Sequence, residues 1–510
     1  MSGLREIAEA TGLTPVDAAP GEIAVECDET QFAGRVAQLA ERAFLSDFFA
    51  TVTSAGARLT AVFSTIGDTG WLRLQTRLSG DTYMAITPTV HGASWYEREI
   101  AEVFALTPHG HPALLSLRLH HGDGGKPRKP RRSARGVEDI EEFSETAPIQ
   151  GQGVFQLPLG PVRSGPQESA HFLFTSGGED LVMVRPRLGY KHRAIESMAE
   201  GREPTSALIL AERLAGTSTF SNSLAFAQAV ERTGTVQVSA QAERARSLLN
   251  ELERLHSHFA SLAKVADSTG LTVAAAQYNL LREETLGCCA VLTGHRYLRG
   301  MLAIGGLAQS LAAGGLSELA ESLPRWLRHA QGLEGLLEDT ATFIDRLETT
   351  AILASEYAQV HYLVGPIGRS SGVDRDARRD HPYAAYPSLK LDVLAKSQGD
   401  ALARVRILLF ETRQALSLIE QLIAGDLVDG DDRLEPLGAG SALGWAEAPG
   451  GETLHFVELD GKGRIARWRA RPPAAVNWHV YSHACASGNN LTDYPVIEAS
   501  FALSVAEFDR

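Results

Sequence analysis

The chain has 510 residues, 44% hydrophobic and 22% charged, with 62 acidic against 48 basic side chains and a formal charge of −14. This is ordinary globular composition, and its length asks for more than one hydrophobic core, because single cores rarely grow beyond ~250–300 residues. The acidic balance excludes general nucleic-acid binding, which needs basic surface.

The opening MSGLREIAEATG carries charges where a secretion signal needs an apolar centre, so no targeting segment is expected. Residues 31–49 have helical spacing, while RLTAVFSTI and WLRLQTRLS alternate as strands do. His109, His111, His120 and His121 gather among Gly110, Pro112 and Gly122. That company suits a turn-rich surface better than a metal site, which stays open as an alternative. Next comes GDGGKPRKPRRS, followed by the acidic VEDIEEFSE. Such a stretch cannot bury enough apolar area to order itself, so residues 122–150 are expected to be a linker between units at 1–121 and 151–510. A docking strip for an acidic or membrane surface is the alternative.

Past the linker, FQLPLGP, ESAHFLFTS and DLVMVRPRL read as a short antiparallel sheet, and from residue 201 helices dominate. The clearest spans 239–266, where Ala245, Leu248, Leu249, Leu252, Leu255, Phe259, Leu262 and Ala266 recur at 3–4 spacing. Its histidines, His256 and His258, stand two residues apart and project about 200° from one another, so they cannot share one ligand position. His258 borders the apolar stripe, as a satisfied core histidine or as a tuned group beside a redox centre. Further helices are expected at 271–300, 323–361 and 398–425. The uncharged run 300–316, GMLAIGGLAQSLAAGGL, falls short of the ~20 strongly apolar residues of a membrane span and reads as buried helix and turn. A soluble, cytoplasmic chain that docks on membrane partners is expected.

Residues 365–381, GPIGRSSGVDRDARRDH, mix arginines and aspartates with glycines between apolar helices. They form either a solvated loop or a polar network inside a cavity or interface, where each charge would need full hydrogen bonding. Near the end, ETLHFVELDGKGRIARWRA is a hairpin turning at 460–463. Residues 461–466 match G-x-G-x-x-A, but between two strands instead of between a strand and a helix, which excludes a dinucleotide site there. Walker A, G-x-S-x-G and H-E-x-x-H patterns are missing. Cys27, Cys288, Cys289 and Cys485 form no C-x-x-C pair, so the chain is expected to hold no zinc or iron–sulfur cluster of its own. Four cysteines in this length suit a reducing compartment. The fold class expected is α+β: a small mixed domain, then a mainly helical bundle with small antiparallel sheets.

Several longer segments share one resemblance. PLGPVRSGPQESAHF, GYKHRAIESMAEG, LLNELERLHSHF, LLREETLGCCAVLTGHRYLRG, GPIGRSSGVDRDARRDHPY and GDALARVR resemble the large subunit of group 4 nickel–iron hydrogenases of the formate hydrogenlyase type, and the quinone-site subunit of respiratory complex I. WYEREIAEVFALTPHGHP resembles complex I's smaller, 30 kDa-type peripheral-arm subunit. Where that family shows Asp-x-Phe-Gly-Ile, this chain has Glu102, Phe104, Ala105 and Leu106. The resemblance implies a helical large subunit packed against a small subunit holding a 4Fe–4S cluster. It also implies antiporter-like membrane subunits, at the inner face of the cell membrane.

Hydrogenase members hold nickel and iron with cysteines in Arg-x-Cys-Gly-x-Cys and Asp-Pro-Cys-x-x-Cys. Matched to ERLAGTS and to VIEASFALSVAEFDR, those four positions carry Ala215, Ser218, Ser504 and Glu507. The methyl group can ligate nothing and the oxygens are hard donors, so hydrogen activation is not expected; an ending at Arg510, without the extension that maturation trims, agrees with this. The complex I headgroup ligands, a His and a Tyr, fall at Arg163 and Gly216, so a quinone would need Thr217, Ser218 and Glu168 instead. By the same resemblance His258 would neighbour the partner's cluster. Arg369, Asp374, Asp376 and Arg379 would form a polar network behind the cavity, with Glu168 and Glu507 as proton carriers, since buried carboxyls can have raised pKa values. The function expected is electron transfer from a partner's cluster to a quinone or other acceptor, coupled to ion movement, with NADH as donor left open. The alternative is a structural subunit that has lost redox chemistry.

Overall fold

The computed structural model describes residues 2–53, 56–118, 151–164, 167–234, 236–427 and 437–510. The expected linker at 122–150, with His120 and His121, lies outside the described residues.

The N-terminal sheet runs in the order Val16–Asp17, Glu22–Glu26, Trp71–Leu78, Gly56–Ser64, Phe44–Thr53. The pairing of Glu22–Glu26 with Trp71–Leu78 is parallel and the other pairs are antiparallel. The helix expected over 31–49 covers only Glu29–Ala40, and Phe44–Thr53 is a strand. The reason is double-sided burial. Successive residues of a strand face opposite ways: Phe48 meets Phe32 of the sheet's own helix, with rings 6.0 Å apart, and Phe49 meets Phe456 of the C-terminal body at 5.0 Å. With both faces apolar, FLSDFFATVT loses the alternation that marks a strand.

The second sheet, Val154–Leu159, His171–Gly177 and Asp180–Arg187, is antiparallel as expected. The long helix Ala240–Ser268 begins where the Ser239 hydroxyl accepts the Ala242 N–H. It packs against Thr272–Thr293, Ala401–Ile423 and Tyr494–Phe501. The run 300–316 is mostly not helix: Leu302–Ala303 pairs with Gly306–Leu307 in a small hairpin, and a helix starts only at Ala313. The helix expected over 323–361 is three pieces, Ala313–Asp339, Ala341–Leu347 and Ser355–Val360.

The C-terminal hairpin belongs to a three-stranded sheet whose first strand, Gly440–Ala448, sequence reasoning missed. This sheet lies between the N-terminal sheet and the helix Thr219–Gly234, and its Gly444 permits the approach. A Cβ at Gly444 would stand 2.1 Å from the Ala225 carbonyl oxygen and 2.3 Å from the Ala229 nitrogen, both helix backbone. One apolar core therefore joins Phe49, Val62 and Trp71 of the N-terminal unit to residues far beyond the linker. Among the described residues no helix is long and apolar enough to cross a membrane.

Because backbone cannot yield as a side-chain tip does, Gly444→Ala should cost about 2–3 kcal/mol or more, read as a lower denaturation midpoint at unchanged slope. An unchanged midpoint would show that the sheet and helix are not in this close contact.

Candidate functional site

Chain segments far apart in sequence converge on one cavity of about 90 Å³. The loop before helix Thr219–Gly234 brings Thr217 and Ser218, the long helix brings Ser257 and His258, and the last turns of the chain bring Ser504 and Glu507. Ser218, Ser504 and Glu507, three of the positions matched to cysteine ligands, thus share one wall. Ala215 is buried nearby but does not line the space, and neither does any of the four cysteines.

Hydrogen bonds hold this wall. The Ser218 hydroxyl donates to Glu507 Oε1, and Asn222 Nδ2 reaches the same oxygen at 3.3 Å and Ser218 Oγ at 3.0 Å. The Asn222 carbonyl accepts from Thr453 Oγ1 at 2.8 Å, which fixes the amide's orientation. Ser504 caps the helix Val505–Asp509 by accepting the Glu507 N–H at 3.1 Å, and its hydroxyl donates to the Glu168 carboxylate at 3.1–3.2 Å. Glu168 also accepts the N–H groups of Val505 and Ala506. Arg163 lies beside this corner, bonded to the Glu168 carbonyl at 3.0 Å and paired with Glu498. Gly216 and Thr217 are exposed at the rim, and the Thr217 carbonyl accepts from Ser257 Oγ at 2.8 Å.

Burial pushes the Glu507 carboxyl up from its ordinary value, against the lowering pull of Ser218 and Asn222. A second buried carboxyl, Glu253 of the long helix, accepts the N–H groups of Phe220 and Ser221 at 2.6 and 2.9 Å. Burial raises it to about 7, with Glu507 adding like-charge repulsion. Sequence reasoning missed Glu253. Its signal was its place beside the stripe that defines the helix, one turn after Leu249 and next to Leu252, where an acid is out of place.

Behind the cavity, His258 bonds through Nε2 to Glu411 Oε2 at 2.9 Å. Arg369 donates to the other oxygen of Glu411 at 2.7 and 3.1 Å and to Glu447 at 2.9 Å. Burial alone would raise Glu411, but Arg369 and His258 outweigh it and hold this carboxylate well below its usual range. Burial lowers His258 despite that carboxylate, so the ring is neutral with its hydrogen on Nε2. Residues 365–381 are therefore largely an interior network. Arg378 forks onto Asp376 at 2.7 and 3.0 Å, and reaches Glu251 at 3.1 Å. Asp374 and Arg379 are corrections to the expected set: they pair with each other at 2.8 Å at the surface, with Asp374 56% exposed, because Arg379 is drawn outward to Asp374 and Asp380. Glu251, Glu411 and Glu447 complete the network and were missed, as single acidic residues in apolar helices and a strand carry no motif.

The Glu253 shift has a sign. The folded chain keeps that proton up to about pH 7, whereas an unfolded carboxyl releases it around 4.5. The stabilisation is fully present below 4.5 and is lost as pH rises through 7. The stability of the wild type relative to Glu253→Gln should therefore fall by on the order of 3 kcal/mol from pH 5 to pH 8 in urea titrations. A gap independent of pH would contradict a protonated Glu253.

Residues 267–431 and 433–510 match the family described as respiratory-chain NADH dehydrogenase, 49 Kd subunit. Residues 26–134 match its 30 Kd subunit family, and residues 193–264 match the nickel-dependent hydrogenase family. The chain is 29% identical over 445 residues to formate hydrogenlyase subunit 5 of Escherichia coli, covering 84% of this chain and 77% of that protein. It is 28% identical over 374 residues to the membrane-bound hydrogenase subunit alpha of Pyrococcus furiosus, covering 70% and 87%. It is 24% identical over 483 residues to the C/D subunit of the NADH-quinone oxidoreductase of Bdellovibrio bacteriovorus, covering 87% and 86%. The chain belongs to the superfamily that joins the complex I 49 kDa subunit to the nickel-dependent hydrogenase large subunit, in the form fused to a 30 kDa-type domain.

Proposed function

We propose that this chain is the large subunit of a membrane-associated, hydrogenase-related complex. Within it, an electron passes from a partner's 4Fe–4S cluster to a quinone or another small acceptor, coupled to ion movement. The partners are a small iron–sulfur subunit and antiporter-like membrane subunits, which place this chain on the inner face of the cell membrane. The chain itself supplies no metal centre.

The observation that carries this reading is the replacement of a thiolate set by an oxygen set around Glu507. A methyl group, two hydroxyls and a carboxyl do not fit a nickel–iron centre, which depends on soft donors. They do fit proton handling. Glu507 is buried and raised toward neutrality, its Oε1 accepts from Ser218, and Ser504 stands between its own backbone N–H and Glu168. The space of about 90 Å³ accommodates several waters at the ~10–15 Å³ each requires, and the polar groups of Ser218, Ser504 and Glu507 on its otherwise largely apolar wall offer them partners. It is well below the ~300 Å³ at which small-molecule sites begin, which favours an acceptor at the rim near Thr217 over a quinone ring held deep inside. His258, neutral and fixed by Glu411, supplies a second titratable group in the cavity lining.

A second reading, a coupling role without chemistry, is favoured by the same missing thiolates and by the buried ties between N-terminal sheet and body. The two separate on the purified complex. Metal analysis should find iron and no stoichiometric nickel, and Glu507→Gln should cut coupled turnover at least about tenfold with the melting temperature kept. Unchanged turnover and ion transport in that variant would remove Glu507 from the pathway. A reducible cluster without any substrate-dependent turnover in the wild type would favour the coupling reading.

A further inference from the structure

The network behind His258 contains one carboxyl that its neighbours do not fully compensate. Glu251 and Arg254 come from the long helix, Glu411 from helix Ala401–Ile423, and Arg369, Asp376 and Arg378 from the 365–381 segment. Glu447 comes from strand Gly440–Ala448, and none of the seven is more than 3% exposed. Three guanidiniums thus face four carboxylates. Glu251 accepts from Arg378 and Arg254 and from the Tyr386 hydroxyl at 2.6 Å. Asp376 takes the Arg378 fork, and Glu411 takes two bonds from Arg369 and one from His258. Glu447 has a single guanidinium nitrogen, Arg369 Nη1 at 2.9 Å, and the Ala377 N–H at 3.0 Å. Asp376 competes for that same nitrogen at 3.4 Å.

Arg254 and Arg378 relieve this carboxyl only in part, less than burial and Asp376 oppose its ionisation. Arg254 and Arg378 are committed to Glu251, Glu411 and Asp376. Arg375 shares Glu452 with Arg471, and Arg379 is held by Asp374 and Asp380 at the surface. The Tyr383 hydroxyl faces the Glu447 backbone N–H, accepting it at 2.9 Å. On the far side of His258, His256 is neutral, lowered by burial to about 3.

We propose that Glu447 is the proton-bearing carboxyl of this network and that, through Arg369 and Glu411, it tunes the proton affinity of His258. The path is continuous: Glu447 Oε1 to Arg369, Arg369 to Glu411 Oε1, and Glu411 Oε2 to His258 Nε2. With Glu447 neutral, Arg369 spends its charge on Glu411, and Glu411 does little to favour a cationic imidazole. With Glu447 ionised, Arg369 is shared, and the field of Glu411 at His258 grows. Burial, followed by the repulsion of Asp376, places this ionisation at about 7. Glu447 is a positioning residue, since it does not line the cavity. The inference rests on the reading of His258 as the cavity's titratable imidazole and adds the group that controls it.

The full chain labelled with ¹⁵N-histidine tests this, with the His258 ring signals assigned from His258→Gln. Those ring shifts should inflect near pH 7 without the ring itself protonating. The inflection should vanish in Glu447→Gln, and it should move to lower pH in Asp376→Asn, which removes the like charge. An inflection that survives Glu447→Gln overturns the proposal. So does its absence from the wild type between pH 6 and 8, whatever the folding of the variants. The readout needs no turnover, so an inactive complex with the inflection intact would overturn the proposed electron transfer and leave this coupling standing.

Discussion

The structure depends on buried guanidinium groups that are met by hydrogen-bond acceptors, carboxylates around Arg369 and Arg469 and backbone carbonyls around Arg404. Taking a cation out of water costs several kcal/mol, and the cost is recovered only by well-placed acceptors. Arg369, 1% exposed, meets that condition with Glu411, Glu447 and the Arg375 carbonyl. In doing so it ties together helix Ala401–Ile423, strand Gly440–Ala448 and the turn that follows its own short helix, Gly365–Ser370. The same rule governs the seam with the N-terminal sheet. Arg469 grips both oxygens of Asp47 at 3.0 and 3.1 Å and reaches Glu99 at 2.6 Å. Arg375 donates to Ser64 at 2.7 Å, while Trp71 stacks on His381 with rings 4.2 Å apart. Separating the two units would strand these charges, each uncompensated partner costing about 3–5 kcal/mol. The N-terminal unit is therefore fixed to the network that positions His258.

That constraint also sorts the carboxyls. Glu411 and Glu507 are both buried, yet Glu411 is held ionised and Glu507 is pushed toward its neutral form. The difference is the distance to a guanidinium. Arg369 lies against Glu411, whereas Glu507 has only a hydroxyl and an amide. Environment divides one residue type into a fixed charge and a carboxyl that favours its proton. The cavity lies where these two kinds of carboxyl face each other across His258.

Much of this was legible in the sequence. The 3–4 spacing of the long helix appears because its second face, though buried through 245–259, is polar, with Arg246, Glu251 and Glu253. The strands at 154–187 and the hairpin turn appear because each keeps a wet side. The misses occur where that condition fails. Phe44–Thr53 is buried on both faces and Gly440–Ala448 lies between a helix and a sheet, so neither alternates. Ser218, Ser504 and Glu507 were found by their place in two motifs, 286 residues apart at Ser218 and Ser504. Glu253, Glu411 and Glu447 were not, because a buried acid is recognisable only by the partner that folding brings to it. Asp374 and Asp376 look alike in sequence, and only folding sends one outward and the other into the network.

The cavity also bears on why a frame resembling a metal site persists without thiolates. A metal held by two pairs of cysteines would pin the loop at 215–218 to the last turns of the chain. Here hydrogen bonds make that connection: Ser218 to Glu507, Asn222 to both, and Ser504 to Glu168. Asp509 extends it by accepting the N–H groups of Gly189 and Lys191 at 2.7 Å each. Such bonds are individually worth about 1 kcal/mol, roughly twice that where a charge is involved. Several together restrain both segments, but unlike a metal they leave the oxygens free to exchange a proton. The carboxyl of Glu507 thus does two things at once: it ties the loop at 215–218 to the end of the chain, and it places a titratable group in the wall of the cavity.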